Sequence, residues 1–434
     1  MPSSSWTIRG LRKALVAGQI SPSALAEEAL TRANQNASRN TYLWSDPAWT
    51  RAEAVRVEAM PKGAAGPFGD GYDALWGLPI SVKDCFDLAG SPTTCGVKFY
   101  RDLNGVAARD SWLVGRLRTA GAVITGKTHL HPLAYGITGE NPEFGDCVQP
   151  GNPGALTGGS SSGAAASVLE GSAVAAIGTD TGGSVRAPAA LCGLAGYRAT
   201  LGRGEWLGGA HLAESFDTMG WLFRDLEDAP LLAEIFAFEQ ARQWEAFTSF
   251  AAIDERFLHD CEPAIVDSLR ATANELEALG LRRTTFDANW WTDAFEIFAP
   301  IQAWEAARIH AGHFEKFQPA IRERLEWGAR ITENEISALR ERHAAFNADM
   351  DALFAEHALL LMPATPVLQL ATGADHSKTR TRLLRYTTPF SLAGVPVITI
   401  PCAGSGVQLA AARNSDEALL ALAAQLGAQR KTIS

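Results

Sequence analysis

A short segment near residue 80 alternates between apolar residues and residues of other types, and this period of two predicts a β-strand. Leu78, Ile80 and Val82 lie on one face, which places Ser81 and Lys83 together on the other face. The lysine is conspicuous because the chain has only eight lysines against thirty arginines. A lysine in an apolar setting can lose its proton, whereas an arginine stays charged, so Lys83 is a candidate base.

Strand-like and helix-like segments follow one another along the rest of the chain, and this order predicts an α/β protein with one mixed sheet. Predicted helices lie within residues 7–35, after Asp110 or Ser111, and from Ser162 to about Leu169. Predicted strands are residues 122–125, 172–178, 358–362, 395–400 and 407–411. From about 230 to 355 glycine is rare and aromatic and charged residues recur at helical spacing, which predicts a helical insertion within a single domain of residues 1–434.

The composition indicates a globular protein without affinity for polyanions. Of the 434 residues 47% are apolar, and the net charge is −10. The negative charge disfavours non-specific binding to nucleic acid and to anionic membranes. No apolar run of about 18 residues is free of Gly, Pro or charge, and no signal peptide is visible, so we expect no membrane span. The six cysteines are scattered without a Cys-x-x-Cys pair, so we expect reduced thiols in a cytoplasmic protein.

Two loops rich in glycine and serine are the strongest indication of chemistry. Residues 158–163 read Gly-Gly-Ser-Ser-Ser-Gly, and residues 179–184 read Thr-Asp-Thr-Gly-Gly-Ser. Glycine lets the backbone pass close to a substrate carbonyl, so that consecutive N–H groups can bind a developing oxyanion. Ser184 follows a predicted strand and a tight turn, and Lys83 could take its proton through Ser160. These residues predict covalent acyl transfer that needs no histidine.

With these motifs the chain resembles the amidase signature family. The similar segments are residues 78–84, 126–128, 139–145, 158–163, 178–188, 215–220, 362–366 and 394–401. They span nearly the whole chain, and one departure is His129, which stands where many relatives have Asn. The resemblance implies an α/β/α sandwich around a central mixed, mostly parallel twisted sheet, with no metal and no other cofactor.

The resemblance also implies roles for individual residues. The implied catalytic triad has Ser184 as nucleophile, Lys83 as general base and Ser160, next to a cis peptide bond, as the bridging serine. The implied oxyanion hole consists of the backbone N–H groups of Thr181, Gly182, Gly183 and Ser184. The implied supporting residues are Ser162, Thr179, Asp180 and Arg186. We expect Arg186 to anchor its loop, by way of Asp180, rather than to bind substrate. The wall of the substrate pocket would include Ala134, Tyr135 and Gly136.

Four other interpretations of the motifs compete with this one. The segment 121–128, Gly-Ala-Val-Ile-Thr-Gly-Lys-Thr, matches the P-loop pattern, yet its β-branched residues favour a strand end. Ser161 completes a Gly-x-Ser-x-Gly pattern, yet the preceding residues are too rich in Pro and Gly for the strand that such a nucleophile follows. His129 and His131 could begin a metal site but lack evident later partners. Cys85 could be a catalytic thiol.

The predicted function is hydrolysis of a carboxylic amide bond through a Ser184 acyl-enzyme, with a Ser160–Lys83 proton relay. The aromatic residues of the insertion and Tyr135 favour aryl or bulky substrates, and the same chemistry would cleave esters or carbamates. The expected partner is therefore a small-molecule amide or carbamate, bound by a monomer or homodimer. One alternative is the amidase subunit of a glutamine-dependent amidotransferase complex. Another is a noncatalytic scaffold with the same fold, against which the intact triad argues.

Overall fold

The computed structural model describes residues 6–60, 73–233, 235, 244–402 and 404–433. Its α-helices are α1 (Ile8–Val16), α2 (Pro22–Gln35), α3 (Pro47–Glu58), α4 (Lys98–Asn104), α5 (Trp112–Thr119), α6 (Ser162–Glu170), α7 (Arg186–Leu191), α8 (Ala229–Ala233), α9 (Pro263–Ala278), α10 (Ala294–Ile309), α11 (Pro319–Arg330), α12 (Glu333–Glu356), α13 (Ser377–Ala393) and α14 (Asp416–Ile433). Its strands are β1 (Tyr42–Trp44), β2 (Pro79–Lys83), β3 (Val123–Thr128), β4 (Ala155–Leu156), β5 (Ala175–Asp180), β6 (Ala195–Arg198), β7 (Thr218–Phe223), β8 (Ser249–Ile253), β9 (Arg282–Phe286), β10 (Leu359–Pro363), β11 (Leu370–Ala371), β12 (Val397–Cys402) and β13 (Ser405–Ala411).

One large sheet organises these elements. Of the described strands, eleven form a sheet in the order β1-β3-β2-β5-β7-β6-β12-β13-β10-β8-β9, and β4 pairs with β11 separately. The mixed sheet and its flanking helices confirm the predicted α/β fold class. The prediction that the sheet is mostly parallel is wrong: within the described residues, four neighbouring pairs are parallel and six are antiparallel. Successive strands such as β12 and β13 pair directly, and strands that turn straight back on each other run antiparallel.

Strand β2 carries Lys83 into the interior of the protein. It lies between the parallel strands β3 and β5, and all of its residues are buried. Helices α2 and α6 pack against it. A polar side chain on so deeply buried a strand needs a hydrogen-bond partner, and Ser81 Oγ lies 2.8 Å from Ser167 Oγ of α6. Lys83 contacts the loop that leads into the same helix, which confirms that Ser81 and Lys83 share a face.

The stretch from about 230 to 355 is only partly helical, which corrects the prediction of a helical insertion. Helices α9 to α12 lie within it, but so do strands β8 and β9, which extend the central sheet beyond β10. Strand β9 is short and largely open to solvent, with only its last residue buried, so it has no apolar alternation to reveal it. Residues 234 and 236–243 of this stretch lie outside the described residues.

A large hydrophobic cluster draws on both ends of the chain. It includes Trp6 and Leu426, and it contains most of the aromatic residues of α10 and the segments around it. Such sharing of one core supports a single domain, and the division of the chain into one domain with an insertion stays a prediction. None of the described helices combines the length and the apolarity that a membrane crossing requires.

Candidate active site

Lys83 lies at the centre of a buried cluster of hydroxyl groups. Its Nζ is 2.7 Å from Ser160 Oγ, 3.1 Å from Ser161 Oγ and 2.7 Å from Thr179 Oγ1. The lysine side chain is completely buried. Among the described residues no carboxylate lies within 4 Å of it to balance a positive charge. The end of strand β2 therefore presents an amine to three neutral oxygens.

This environment makes Lys83 a weaker base than an exposed lysine, and therefore one that gives up its proton more readily. Burial lowers the pKa of Lys83 to about 8, against smaller opposing effects of more distant acidic groups. A substantial fraction of the side chain is consequently neutral near pH 8. The neutral amine can accept a proton from Ser160, with which it shares a hydrogen bond.

The loop before α6 positions Ser160 and Ser161. The peptide bond between Gly159 and Ser160 is cis, as the family resemblance implied. Ser161 Oγ donates to the carbonyl oxygen of Thr179 at 3.2 Å, and it accepts from the Thr179 N–H at 3.3 Å. Ser162 Oγ lies 3.5 Å from the carbonyl oxygen of Ser160, and its hydroxyl is not among those that contact Lys83. Ser161 rather than Ser162 is thus the third hydroxyl-bearing residue around the lysine, a role that sequence reasoning missed.

Ser184 lies in the turn between strand β5 and helix α7. Asp180, the last residue of the strand, accepts hydrogen bonds from the backbone N–H of Gly183 at 2.8 Å and of Val185 at 3.1 Å. Arg186 Nε donates to the same carboxylate at 3.0 Å, so Arg186 anchors its loop through Asp180 as expected. One carboxylate therefore holds both ends of the turn that carries Ser184.

A second arginine completes this buried ion cluster. Arg198 of strand β6 lies 3.1 Å from Asp180 Oδ1, and Arg186 also donates to the carbonyl of Thr387 and to Ser391 Oγ. Burial alone would raise the pKa of Asp180, but the two guanidinium groups hold it well below its ordinary value. Because Asp180 stays ionised, the turn is clamped throughout the physiological pH range.

The two glycines of the turn are required by close packing. A Cβ on Gly183, whose φ is +118°, would lie 2.7 Å from the Thr387 side chain, and one on Gly182 would lie 2.9 Å from Phe298. Thr387 Oγ1 also donates to the carbonyl oxygen of Gly182 at 2.5 Å. Helices α13 and α10 thus pack closely against the turn. No local sequence signal indicated Thr387, whereas Phe298 belongs to the aromatic residues of the stretch from about 230 to 355 that favoured a bulky substrate.

The backbone N–H groups of the turn differ in their availability. The N–H of Gly183 donates to Asp180, so it is already occupied, contrary to the expectation that it belongs to the oxyanion hole. Within the described residues the N–H groups of Thr181, Gly182 and Ser184 have no acceptor. The Thr181 hydroxyl is held separately, by a 2.6 Å bond to Asp217 Oδ1. Asp217 belongs to the matched segment 215–220, which was the only sequence signal for it.

A narrow cavity of about 20 Å³ adjoins Ser184. It brings the predicted pocket residues Ala134, Tyr135 and Gly136 together with the turn of the nucleophile. The remaining residues that line it are Ile137, Thr181, Gly182, Gln302, Arg380 and Leu384. Helix α10 contributes Gln302 and helix α13 contributes the last two, and sequence reasoning identified none of these three because they lie far along the chain from the motifs.

Comparisons with known proteins agree with this geometry. The family model described as Amidase matches residues 24–420 of the chain. The chain belongs to the amidase signature family. It is a hydrolase of that family that acts on the C–N bonds of amides.

Individual relatives cover nearly the whole length of the enzyme. One subunit of the glutamyl-tRNA(Gln) amidotransferase of Synechococcus sp. (strain CC9605) is 28% identical, over 93% of this chain and 91% of the relative. The indoleacetamide hydrolase of Pseudomonas savastanoi is 29% identical, over 92% of this chain and 90% of the relative. A crystal structure of an amidase superimposes with a TM-score of 0.86 and 30% identity, over 98% of this chain and 99% of that one.

The geometry of the enzyme argues against the P-loop interpretation. Residues 123–128 form strand β3, as their β-branched residues predicted. Lys127 is buried, and its Nζ lies 2.7 Å from Asp84 Oδ1 and 2.6 Å from Thr93 Oγ1. A lysine so engaged cannot reach a phosphate. The Gly-Lys-Thr segment therefore supplies a structural ion pair of the amidase sheet.

The other candidate groups are buried in unreactive surroundings. Burial lowers the pKa of His129 to about 4, and its Nε2 lies 2.8 Å from the carbonyl oxygen of Gly145. Within the part of the chain that the structure describes, no group of three or more His, Cys, Asp or Glu residues could hold a metal ion. Burial also raises the pKa of Cys85 to about 12, so its thiolate is scarce at neutral pH.

Proposed function

We propose that the enzyme hydrolyses amides through a covalent Ser184 acyl-enzyme. Ser184 Oγ attacks the carbonyl carbon and forms a C–O bond, while its proton passes by way of Ser160 to the neutral amine of Lys83. The C–N bond then breaks, and the amine leaves with that proton. Water attacks the acyl-enzyme, gives up a proton through the same relay, and releases the carboxylic acid and Ser184.

The hydrogen bond between Lys83 Nζ and Ser160 Oγ, 2.7 Å long, is the observation that carries this proposal. It joins Ser160 to a lysine whose pKa is lowered. The next residue of the loop, Ser161, donates its N–H to the carbonyl oxygen of Ser184 at 3.2 Å. The relay and the nucleophile thereby lie in adjoining turns. Ser162, Thr179 and Asp180 would support them, the first two around Ser160 and Lys83 and the third beneath Ser184.

The backbone of the Ser184 turn supplies the groups that would stabilise the transition state. The N–H groups of Thr181, Gly182 and Ser184 are available for an oxyanion, whereas that of Gly183 serves Asp180. The hydrogen bond from Thr387 fixes the Gly182 peptide. Donors that are held in place before the reaction need no reorganisation when the charge develops, which is the largest common source of catalysis.

Aryl or bulky amides, and esters or carbamates of similar shape, are the substrates that we propose within this chemistry. Phe298 touches the turn at Gly182, and Tyr135 lines the cavity beside Ser184, so apolar surface is close to the reacting carbon. The similarity to an indoleacetamide hydrolase supports an aromatic group on the substrate. The narrow cavity at Ser184 favours a slim group at the carbonyl itself, with the bulk further out.

A role as the amidase subunit of a glutamine-dependent amidotransferase is the second candidate. The similarity to a subunit of a glutamyl-tRNA(Gln) amidotransferase over nearly the full chain supports it. Such a protein would hydrolyse glutamine and deliver ammonia to a partner. Release of ammonia from glutamine by the isolated chain, or its co-purification with a second protein, would favour this candidate over a free-standing amidase.

Hydrolysis of a panel of 4-nitroanilides, 4-nitrophenyl esters and 4-nitrophenyl carbamates tests the proposal. Wild type should cleave at least the anilides, Ser184→Ala should abolish measurable turnover, and Lys83→Ala should reduce it about 100-fold or more. Mass spectrometry of the quenched wild-type reaction should find the acyl group on the peptide that contains Ser184. Activity that survives in Ser184→Ala would overturn the nucleophile, and unequal loss across the panel would rank the three substrate classes.

A further inference from the structure

Arg380 lines the cavity at Ser184 and has no counter-charge among the residues that the structure describes. Arg380 lies in the first turn of α13 and lines the narrow cavity together with Thr181, Gly182 and Ser184. Its Nε is buried and has no hydrogen-bond partner in the described part of the chain. Over the same residues no carboxylate lies within 4 Å of its guanidinium. Arg380 is therefore a positive charge that the described part of the protein leaves without a carboxylate partner.

Such a charge is costly to a fold unless something else pairs with it. Buried polar atoms nearly always find a partner, and a partly buried cation destabilises the protein when it has none. Burial, followed by the charge of Arg324, lowers the pKa of Arg380 to about 10, and the group still stays protonated at neutral pH. An arginine kept in this state beside a nucleophile points to an anion that arrives with the substrate.

A second and larger cavity, of about 500 Å³, shares Arg380 with the first. Arg324 lines it too, and one N–H of its guanidinium donates to the carbonyl oxygen of Tyr135. Three acidic residues also line it, and each has a partner other than Arg380. Glu140 accepts from Thr138, Asp146 from the Asn141 N–H, and Asp375 from Ser377. Among the described residues, Arg380 is thus the cation that lines both cavities.

We propose that Arg380 binds a carboxylate of the substrate, so that the preferred substrates are amides that carry a free carboxylate in the same molecule, such as monoamides of dicarboxylic acids. The inference rests on the proposed function and adds a specificity-determining residue to it. The planar fork of an arginine matches a carboxylate with two parallel hydrogen bonds. The cavity beside Ser184 has about the volume of one water molecule, which favours a flat and small anion over a bulkier one.

The helix that carries Arg380 also contacts the catalytic turn. Residues 380, 384, 387 and 391 recur at spacings of four, three and four, which places them on one face of α13. Leu384 lines the narrow cavity, Thr387 bonds the Gly182 carbonyl, and Ser391 bonds Arg186. One helix face therefore holds the anion-binding residue in a fixed relation to the turn of the nucleophile.

The test compares matched anilides that differ only in charge. The mono-4-nitroanilides of succinic, glutaric and adipic acid carry a free carboxylate, and their counterparts carry a neutral carboxamide in its place. Release of 4-nitroaniline reports cleavage of the anilide bond alone. For at least one chain length we expect wild type to prefer the acid over the carboxamide in kcat/KM, and Arg380→Gln to reduce that ratio about 10- to 100-fold.

Two further variants separate charge recognition from a structural effect. Arg382→Gln removes a guanidinium from the same helix, where it pairs with Asp260 outside the cavities, and should leave the ratio unchanged. Arg380→Lys should retain part of the preference, because it keeps the charge but loses the fork. An acid-to-carboxamide ratio near one in wild type at every chain length, or a ratio that Arg380→Gln leaves unchanged, would overturn the proposal.

A binding measurement distinguishes failure of this inference from failure of the proposed function. Calorimetry on Ser184→Ala measures the affinity for the same acids and carboxamides without turnover. Tighter binding of the acids that is lost in Ser184→Ala/Arg380→Gln would support the anion site. If wild type nevertheless hydrolyses neither member of a pair, that lack of turnover would count against the hydrolytic mechanism and not against the anion site. Equal affinity for acids and carboxamides would overturn the anion site, whatever the enzyme hydrolyses.

Discussion

Two buried lysines on neighbouring strands have opposite surroundings. Lys83 ends β2 and Lys127 lies near the end of β3, and the register pairs Lys83 with Thr128 and Val82 with Lys127. Both side chains are completely buried. Lys127 contacts the carboxylate of Asp84 at 2.7 Å, whereas Lys83 contacts hydroxyl groups and a carbonyl. The two lysines are therefore equally buried but have different partners.

The partner, rather than the burial, decides what each lysine can do. A carboxylate stabilises the charged form of the amine next to it, so Lys127 serves as half of an ion pair. Hydroxyl groups favour the charged form less, so desolvation dominates at Lys83 and lowers its pKa to about 8. Lys83 and Asp84 are adjacent in sequence, but strand β2 ends at Lys83, and the Asp84 carboxylate in the turn that follows pairs with Lys127. The carboxylate is thus kept for Lys127 and away from the candidate base.

Replacement of Lys83 should have the largest effect on activity. In Lys83→Ala we expect kcat to fall about 100- to 10,000-fold, the usual contribution of a general base. Activity is measured on the best anilide substrate, and thermal unfolding checks that the variant is folded. Lys127→Met serves as the comparison at equal burial. A Lys83→Ala enzyme with near wild-type kcat would contradict the assignment of Lys83 as the base, and the two lysines would then not differ in function.

Replacement of Lys127 should instead act on stability. Lys127→Met leaves Asp84 buried and without its ion-pair partner, and removal of one member of a buried pair costs about 3–5 kcal/mol. Urea unfolding measures the change in the free energy of unfolding. Lys83→Met removes no ion pair, so it should lower the free energy of unfolding by clearly less than Lys127→Met does. Equal losses in the two variants would show that burial, and not the partner, determines what each lysine contributes to stability.

The pH dependence of activity should report the lowered pKa of Lys83. Because only the neutral amine can accept a proton, kcat/KM should rise with pH and level off above about 8. At pH values well below this, the neutral fraction falls about tenfold for each pH unit, and the rate should follow it. The measurement is kcat/KM for a neutral anilide between pH 6 and pH 10. A profile that is flat through pH 8 would exclude Lys83 as the base.

Removal of the Ser161 hydroxyl should have the smallest effect of these changes. Ser161→Ala deletes one of the oxygens that hold the amine, and a neutral hydrogen bond contributes about 1 kcal/mol, so kcat should fall about fivefold. Ser162→Ala is the matched control, because the neighbouring hydroxyl does not contact Lys83. A larger loss in Ser162→Ala than in Ser161→Ala would reverse the order of importance that the geometry indicates.

The local part of the site could be predicted from the sequence. Alternation around residue 80 placed Lys83 on a strand, and the glycine-serine loops placed Ser160 and Ser184 in turns. The anchoring of Arg186 to Asp180 followed from a separation of six residues. In each case the relevant neighbours are close in sequence or belong to a dense motif, so local geometry determines their arrangement.

The long-range part could not be predicted in the same way. Arg198 reaches Asp180 from another strand, and Thr387 reaches Gly182 from a helix 205 residues away. The direction of a strand depends on where the chain re-enters the sheet, which is why the predicted mostly parallel sheet was wrong. Strand β9 escaped detection because it is short and exposed at the sheet edge. Contacts of this kind depend on packing, and a single sequence carries little trace of them.

Helix α13 also has a consequence for how substrate range could change in this fold. Arg380 and Thr387 lie seven residues apart, about 10 Å along a helix axis, and a rigid helix does not adjust that length. In the proposed binding mode, the helix therefore fixes the distance between the substrate carboxylate at Arg380 and the amide bond that is cleaved at Ser184. One residue inserted between the two positions would turn Arg380 by about 100° and carry it away from the cavity. To accept substrates of a different length, the enzyme would need an anion-binding side chain one full helical turn away from position 380, and a longer loop would not serve.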